Sequence, residues 1–486
     1  MKKAVDFNGK PFHFIGVGGI GMSALAYVLA KRQLPVSGSD LRPNQITRNL
    51  EVIGAHIFSQ QEASNLEFFR PNVNGNEVIL NTSNDAEQNA LRDLPQVICS
   101  TAINGNNLEY QAALELGCPI LHRSDVLAAL IDEYHSIAVA GTHGKTTTSS
   151  MIGYMLLQAG LDPTILVGGE VNAWEGNARL GKSRYLVAEA DESDGSLVKH
   201  AAAIGIITNI ELDHPDHYQS LDQVVDIFQT FAKGCQQVIG SIDCETVRDR
   251  IQPSITYSLQ SNTNADYYVT DVEYRADGTK ALVWEKGEAL GILDLRLLSR
   301  HNLSNALAAV AVGRAVGLEF GEIAQGLATF DGAKRRFELK GEVNGISFID
   351  DYAHHPSEIR VTLAAARLQA RPGQRVVAIF QPHRYSRTLT FLAEFGESFT
   401  HADLVIITDI YSAGEVDTGV ISSEKLVAEI TKNHIQVKYQ PLNSMSEFLS
   451  QTLRSGDLAL FLGAGNLNQV IPEVIATLCQ PVQVTS

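Results

Sequence analysis

The sequence predicts an α/β protein of three domains, each organised on a mainly parallel sheet, with a small antiparallel β appendage on the middle one. Short apolar runs alternate with helical patterns from residue 12 to about 130 and again beyond 332, which is how parallel strands joined by crossover helices read. Two of these strands run into glycine-rich turns that open a helix, FIGVGGIGMSALA from Phe14 and AVAGTHGKTTTSSMIGYML at 138–156. A third stretch, DYYVTDVEYRADGTKALVWEKG at 266–287, breaks the rhythm: alternation of period two on both sides of Asp277-Gly278 marks an antiparallel hairpin. At 486 residues, 44% of them hydrophobic, the chain is long enough for about three domains of roughly 150 residues. Their expected limits are 1–131, 132–331 and 332–486.

The first domain runs through PFHFIGVGG, MSALAYVLAKR, LPVSGSD, EVILNTS and QVICSTAI. Gly16, Gly18 and Gly21 follow its first apolar run in G-x-G-x-x-G spacing, and Asp40 stands 19 residues past Gly21. That makes the unit Rossmann-like, with glycines that let backbone approach a pyrophosphate at a helix N-terminus and an acid where a ribose would be met. Taken alone, it points to a nicotinamide dehydrogenase. The central domain starts with HSIAVAG near His135 and continues into GTHGKTTT. Gly141 and Gly144 let N–H groups close round phosphate oxygens, Lys145 adds a point charge, Thr146 offers a hydroxyl to Mg²⁺, and the following helix aims its dipole at the anion. Val139 replaces the first glycine of the full Walker pattern, so the unit is P-loop-type in its devices rather than in strict wording. A nicotinamide enzyme would leave this second loop unexplained.

Further polar groups are expected at the carboxyl ends of the next strands, where open α/β sheets bind ligands. RYLVAEADESD ends in Glu189, Asp191, Glu192 and Asp194, and NIELDHPDHY ends in Asp213, His214, Asp216 and His217. Pro215 opposes the helical spacing of a zincin and no cysteine lies near, so water-rich Mg²⁺ coordination suits these acids better than zinc. Asn302 and Asn305 lie three apart near a helix start, where either could also cap that helix. After GAKRRFELKG the strand–helix rhythm resumes through ISFIDDYAHH, RVVAIFQPHR, DLVIITDIY and DLALFLGAGN, a second Rossmann-like unit. DDYAHHPSEI and QPHRYSRT place His354, His383, Arg384 and Arg387 at its carboxyl edge, where guanidinium groups can pair with carboxylate or phosphate.

Charge and composition narrow the partners. A formal charge of −17 leaves no surplus of Lys and Arg for a nucleic-acid surface or an anionic membrane, so no nucleic-acid partner is expected. Cys99, Cys118, Cys235, Cys244 and Cys479 are scattered and never in C-x-x-C spacing, which fits a reducing compartment. Polar residues interrupt the N-terminal MKKAVDFNGKPFHF, and no window approaches 18 unbroken apolar residues, so the protein is expected in the cytoplasm without stable membrane insertion.

In order along the chain, GVGGIGMS, GTHGKTTTSS, EADESD, TNIELDH, HNLSNALAA, RRFE, DDYAHHPSEI, QPHRYSRT and FLGAGN resemble the Mur ligase family over essentially the whole sequence. Ser412 in DIYSAGE stands where the family commonly has proline, and DHPDHY differs slightly from the usual wording round its histidine. The resemblance implies a central ATPase domain and a peptidoglycan-precursor reaction. In the reaction it implies, ATP would phosphorylate the lactyl carboxylate of UDP-N-acetylmuramate, and the amine of L-alanine would attack the acyl phosphate, leaving an amide, ADP and phosphate. A family member that attaches a tripeptide to the same sugar is the alternative, and GVGGIGMS argues against it.

Carried over by motif, Gly18, Gly19, Ile20, Gly21, Met22 and Ser23, with Asp40, would hold the UDP-sugar. Gly141, Thr142, His143, Gly144, Lys145, Thr146 and Thr147 would hold ATP, with Asn302 and Asn305 beside the adenine and Arg336 of RRFE reaching the phosphates from the domain junction. Thr146, Glu189 and His214 would hold Mg²⁺, and the reacting centre would draw on Lys145, Glu189, His214, Arg336, His354, Arg384 and Arg387. The last two arginines are expected on the carboxylate of the incoming amino acid. A monomer or weak homodimer is expected, with three domains articulating on short joints near 131 and 332. A nucleotide-regulated binding protein that forms no bond is the reading from another class, and amino-acid-dependent phosphate release separates the two.

Overall fold

The computed structural model describes residues 4–69, 94–434 and 436–479, so the strand expected in EVILNTS lies outside the described residues. Three sheets follow one another along the chain. The first is all parallel, with β1 (Phe12–Ile15), β2 (Val36–Ser39), β3 (His56–Phe58), β4 (Gln96–Cys99) and β5 (Ile120–His122) in the order β3-β2-β1-β4-β5. β1, β2 and β4 are buried along their whole length, as strands covered on both faces must be, which is why FHFI and QVIC lack alternation. The chain leaves β1 in one direction and returns to its other side at β4, so the first glycine loop sits at the switch point of the sheet.

Inside this sheet lies a fully buried polar network. His13 shares one hydrogen bond with Ser37 Oγ at 2.8 Å and another with Glu109 Oε1 at 2.7 Å, while Ser39 and Asn65 donate to the Glu109 carboxylate at 2.5 and 2.8 Å. His13 and Glu109 are both 0% exposed. One carboxylate thus ties β1 and β2 to the helix Leu108–Glu115.

The second sheet has ten strands: β6 (His135–Ala140), β7 (Thr164–Val171), β8 (Gly176–Arg179), β9 (Tyr185–Glu189), β10 (Ile204–Ile207), β11 (Gln237–Ser241), β12 (Ile255–Ser258), β13 (Tyr267–Arg275), β14 (Gly278–Glu285) and β15 (Glu288–Leu295). Their order is β15-β14-β13-β12-β11-β10-β6-β9-β7-β8, with β6 and its loop in the middle. The antiparallel strands are no separate appendage: β13 pairs in parallel with β12, and the hairpin extends the edge of the central sheet. Arg275 pairs with Gly278, so the tight turn is Ala276-Asp277, one residue earlier than the Asp277-Gly278 signal. The glycine takes the first paired position because a side chain there would run into Leu295 O.

The third sheet carries β16 (Glu338–Val343) antiparallel on one edge of five parallel strands, β17 (Ile346–Asp351), β18 (Val376–Phe380), β19 (Leu404–Ile407), β20 (Val437–Tyr439) and β21 (Leu458–Leu462), in the order β16-β17-β21-β18-β19-β20. Successive residues of β18 feed opposite faces. Val376, Ala378 and Phe380 belong to one apolar cluster, Val377 and Ile379 to the other.

The two joints differ in kind. Met22, Ala24, Leu25, Ala26, Val28 and Leu29 of the helix Ile20–Lys31 share a single apolar core with Leu166 and Ala178 of the central sheet. The first two units are therefore packed together rather than loosely jointed. The third has its own two cores; partly buried Leu212 of the central domain packs against one of them, and Ala333 of the third lies in the central core. Its contacts with the rest are mainly polar.

Glu109→Ala would strand His13, Ser39 and Asn65 without their buried acceptor and should cost about 3 kcal/mol. The urea midpoint should fall accordingly, and Glu109→Gln, which keeps an acceptor oxygen, should lose less than half as much. An unchanged midpoint for the alanine variant would remove this network from the stability of the domain.

Candidate active site

Both glycine loops open into one cleft of about 850 Å³ that is lined by all three domains. Gly19, Ile20, Gly21 and Met22 face it from the first, Gly144, Lys145 and Thr146 from the second, and Arg336, His354, Arg384 and Arg387 from the third. The second loop must be built from glycine where it is. Gly141 has φ +139° and a β-carbon there would fall 1.9 Å from Thr208 Oγ; Gly144 has φ +83° and a β-carbon would fall 2.7 Å from Asn305 Oδ1. Gly144 is the N-cap of the helix Lys145–Gln158 and no side chain caps it, so its first N–H groups point to a ligand.

Lys145 Nζ is folded back on the loop. It donates to Gly141 O at 2.7 Å and Thr142 O at 3.1 Å, and to both oxygens of Glu192 at 2.9 and 2.8 Å. Burial works to lower the pKa of Lys145, and the charges of Glu192 and Asp191 overcome it, so the ammonium is kept charged. The carboxylates respond differently. Burial raises Glu192 to about 7 although Lys145 pulls the other way. For Asp191 burial is outweighed by Lys145 and Arg123, which hold it well below the usual carboxylate range. Arg123, from the first domain, donates to Asp191 at 3.0 Å and Asp194 at 3.2 Å.

Glu189 ends β9 directly under the loop. Its Oε1 accepts from Thr146 Oγ at 3.2 Å and its Oε2 from Gly168 N at 2.7 Å, and a β-carbon on Gly168 would fall 2.6 Å from it. His214, in left-handed backbone at φ +54°, lines the same cleft. Burial holds its pKa below the ordinary histidine value against the pull of Asp213, so the ring is neutral, as a metal ligand must be. Hydroxyl, carboxylate and neutral imidazole round one phosphate loop form a donor set that fits Mg²⁺.

Across the cleft, Arg336 donates to Thr146 Oγ at 3.3 Å. It is flanked by Arg335 at φ +59° and Phe337 at φ +55°, so the junction is held in a backbone that costs about 1 kcal/mol or more per residue. Arg387 is 2% exposed and bonds Asp213 Oδ1 at 2.9 Å through Nε and through a terminal nitrogen. Arg384, with φ +72°, pairs with Asp216 at 3.0 Å and Glu415 at 3.4 Å. Burial lowers His354 to about 4, and its ring packs edge-on against Tyr352 and His383.

Several expected ligands are placed differently from their motif reading. Asp40 Oδ2 accepts from Gly18 N at 2.8 Å and its Oδ1 from Arg42 N at 2.9 Å, so the carboxylate braces the loop. Ser23 donates to Ile20 O and accepts from Asn177 of β8, which also bonds Ile20 O. Asn302 and Asn305 are 8% and 5% exposed and stay outside the cleft lining, Asn305 lying behind Gly144 and Asn302 with its Nδ2 on Leu298 O. Thr147 is 7% exposed in the helix behind the loop, also outside the lining. His143 N donates to Asn209 Oδ1 at 2.9 Å, so that amide is taken. Arg384 and Arg387 face carboxylates of the protein itself, so a substrate carboxylate must displace or join them.

Sequence reasoning missed Arg123, Asn177, Glu211, Ser357 and Glu358 as parts of this site. His143, Glu211 and His355 each bring one ligand-type atom within 4.8 Å of the others. Ser357 Oγ bonds His143 at 3.0 Å, Glu211 at 3.1 Å and His355 at 2.8 Å, so a hydroxyl closes that group.

Comparison with known proteins places each sheet. Residues 11–135 match the model of the Mur ligase family catalytic domain, 139–313 that of the Mur ligase middle domain, and 335–465 that of the Mur ligase glutamate ligase domain. The chain is 78% identical to the UDP-N-acetylmuramate--L-alanine ligase of Nostoc punctiforme and 76% to that of a Nostoc sp., over the full length of each protein. Among solved structures it is similar to the UDP-N-acetylmuramate-alanine ligase of Thermotoga maritima, with a TM-score of 0.79, 26% identity and coverage of 96% of this chain and 98% of that one. A MurF ligase of Thermotoga maritima in complex with ADP shares the fold at TM-score 0.59 and 17% identity, covering 80% of this chain and 91% of that one.

Glu192 competes with any incoming phosphate for Lys145. Glu192→Gln should therefore tighten binding of a non-hydrolysable ATP analogue by on the order of tenfold at pH 8, the scale of one charged hydrogen bond. Above about pH 7 Glu192 is ionised and competes; below it the carboxyl is protonated and Lys145 is freed. The advantage of the variant should shrink as the pH falls through about 7, and calorimetric titrations at pH 6 and pH 8 check it.

Proposed function

The chain belongs to the Mur ligase family, and on that premise we propose that it joins L-alanine to the lactyl carboxylate of UDP-N-acetylmuramate at the expense of ATP. The observation that carries this reading is the pair of glycine loops facing one cleft from two domains. The loop at Gly18–Ser23 holds the diphosphate of the UDP-sugar, and the loop at Gly141–Thr147 holds ATP. Residues 1–131 serve the sugar nucleotide, 132–331 the ATP, and 332–486 the amino acid.

A carboxylate oxygen of the sugar attacks the γ-phosphorus, the bond to ADP breaks, and an acyl phosphate forms. The amine nitrogen of alanine then attacks the acyl carbon, phosphate departs, and the amine loses a proton as the amide forms. The first step brings two anions together, so their oxygens must be neutralised in place. Lys145 moves its charge from Glu192 to the phosphoryl oxygens, and Arg336 reaches them from the third domain. Thr146, Glu189 and His214 would hold Mg²⁺, which would neutralise phosphate oxygens. Arg384, about a third exposed and paired only at the cleft edge, clamps the carboxylate of alanine. Arg387, buried on Asp213, keeps that edge in place together with His354. The acyl phosphate must be kept from water, and the covering third domain does so. The protein works in the cytoplasm as a monomer or weak homodimer.

The direct test is phosphate release with UDP-N-acetylmuramate, ATP and a panel of L-alanine, L-serine, glycine and a tripeptide. Release and amide formation should require all three substrates and be fastest with L-alanine; release without amide, or preference for the tripeptide, overturns the reading. Lys145→Ala should lower kcat by about 10²–10³-fold and leave the affinity for the UDP-sugar within twofold, measured by equilibrium binding. Arg384→Lys keeps the charge but loses the planar fork, so it should raise KM for alanine at least tenfold more than KM for ATP.

A further inference from the structure

His143 sits in the nucleotide loop, yet its side chain reaches the third domain. Its main chain is fixed to the central sheet: N–H to Asn209 Oδ1 at 2.9 Å, and carbonyl oxygen accepting from Thr208 Oγ at 2.6 Å and Asn209 Nδ2 at 3.0 Å. Its imidazole crosses to the helix Pro356–Gln369. Nδ1 lies 3.3 Å from Glu358 Oε1, and Nε2 lies 3.0 Å from Ser357 Oγ and 3.4 Å from Glu211 Oε2. Burial opposes a charge here, and the hydrogen bonds the ring donates to Glu211 and Glu358 override it, raising the imidazole to about 10.

Glu358 uses its two oxygens for different domains. Oε2 accepts the N–H groups of His354 at 3.0 Å and His355 at 3.2 Å, closing the capping box at the start of the helix, while Oε1 meets His143. Ser357 accepts from His143 Nε2 and has a single proton for Glu211 or His355 Nδ1. The turn that carries His354 into the cleft is therefore shaped by the same carboxylate that grips the phosphate loop. Charged, directional bonds of about 3 Å do not survive a shift of the domain by a few ångströms, so the turn and the loop are in register or unlinked.

We propose that His143 is a positioning residue for the ligation step: it docks Glu358 and Ser357 onto the nucleotide loop, so that the amino-acid side of the cleft is assembled only over a correctly placed loop. The proposal rests on the ligase reading above. It assigns His143 a role in joining domains rather than in holding phosphate.

The experiment compares the full chain with His143→Gln, Ser357→Ala, Glu358→Gln and the His143→Gln/Glu358→Gln pair, counting phosphate released and amide formed. Parent protein that forms no amide defeats the ligase reading itself, before the variants are considered. With an active parent, each single variant should lower kcat/KM for alanine at least tenfold. KM for ATP should rise less than threefold, because Thr208 and Asn209 still hold the loop, and affinity for the UDP-sugar should stay within twofold. The ratio of phosphate to amide should climb above one as acyl phosphate meets water, a readout that loss of stability alone does not move. The double variant should be no worse than the poorer single one. Glu358 also caps its helix, so Ser357→Ala, which leaves the Glu358 bonds to the N–H groups of His354 and His355 intact, must show the same uncoupling. A tenfold rise in KM for ATP with the ratio unchanged, additive losses in the pair, or kinetics like the parent in Ser357→Ala and His143→Gln overturn the proposal.

Discussion

Two anionic substrates must meet over a chain whose own formal charge is −17, and the arrangement of the cleft follows from that constraint. Four of its cations are held by carboxylates: Lys145 by Glu192, Arg123 by Asp191 and Asp194, Arg384 by Asp216 and Glu415, Arg387 by Asp213. A buried unpaired ammonium would be costly, so the acids keep the positive charges in place before any phosphate arrives. A substrate anion then exchanges with an acid instead of recruiting a free charge from solvent. Such an exchange is selective, because only a ligand with enough negative charge can take Lys145 from a carboxylate that touches it through both oxygens.

The same polar character governs how the third domain sits. The first two units share an apolar core through the helix Ile20–Lys31, and separating them would put that surface into water. The third meets them through Arg387–Asp213, Arg384–Asp216, Lys334–Glu170, Arg336–Thr146 and the His143 cluster. Water can solvate each of these groups when the face opens, so parting it is far less costly. Motion is thereby directed to one joint, the one beside Arg335 and Phe337 in their left-handed backbone.

Much of this was legible in the sequence, for reasons that can be named. Gly141 and Gly144 are needed because Thr208 and Asn305 leave no room for a side chain, and β1, β6 and β18 read as continuous apolar runs because both faces are covered. Lys145, Thr146 and Glu189 come together as their strand ends predict. What was hidden depends on approach between distant segments. Nothing in a local pattern tells that Arg123 reaches Asp191, that Asn177 braces Ile20 and Ser23, or that Glu358 divides its oxygens between two domains. Asp40 has the spacing of a ribose ligand, yet it satisfies the N–H of Gly18, because an acid beside a bare loop amide bonds it whether or not a nucleotide comes. The hairpin is legible from its alternation, whereas its parallel bond to β12, which joins it to the edge of the central sheet, is not.

The shared core of the first two units also bears on how such a chain can diversify. A segment whose apolar helix is packed into its neighbour's sheet cannot be exchanged as a cassette without matching both sides of that core. The C-terminal segment, with two cores of its own and a largely polar face, shares far less apolar surface with its neighbours. A substitution in the helix Ile20–Lys31 is thereby felt in two sheets at once, whereas one in the cores of the third segment stays within it.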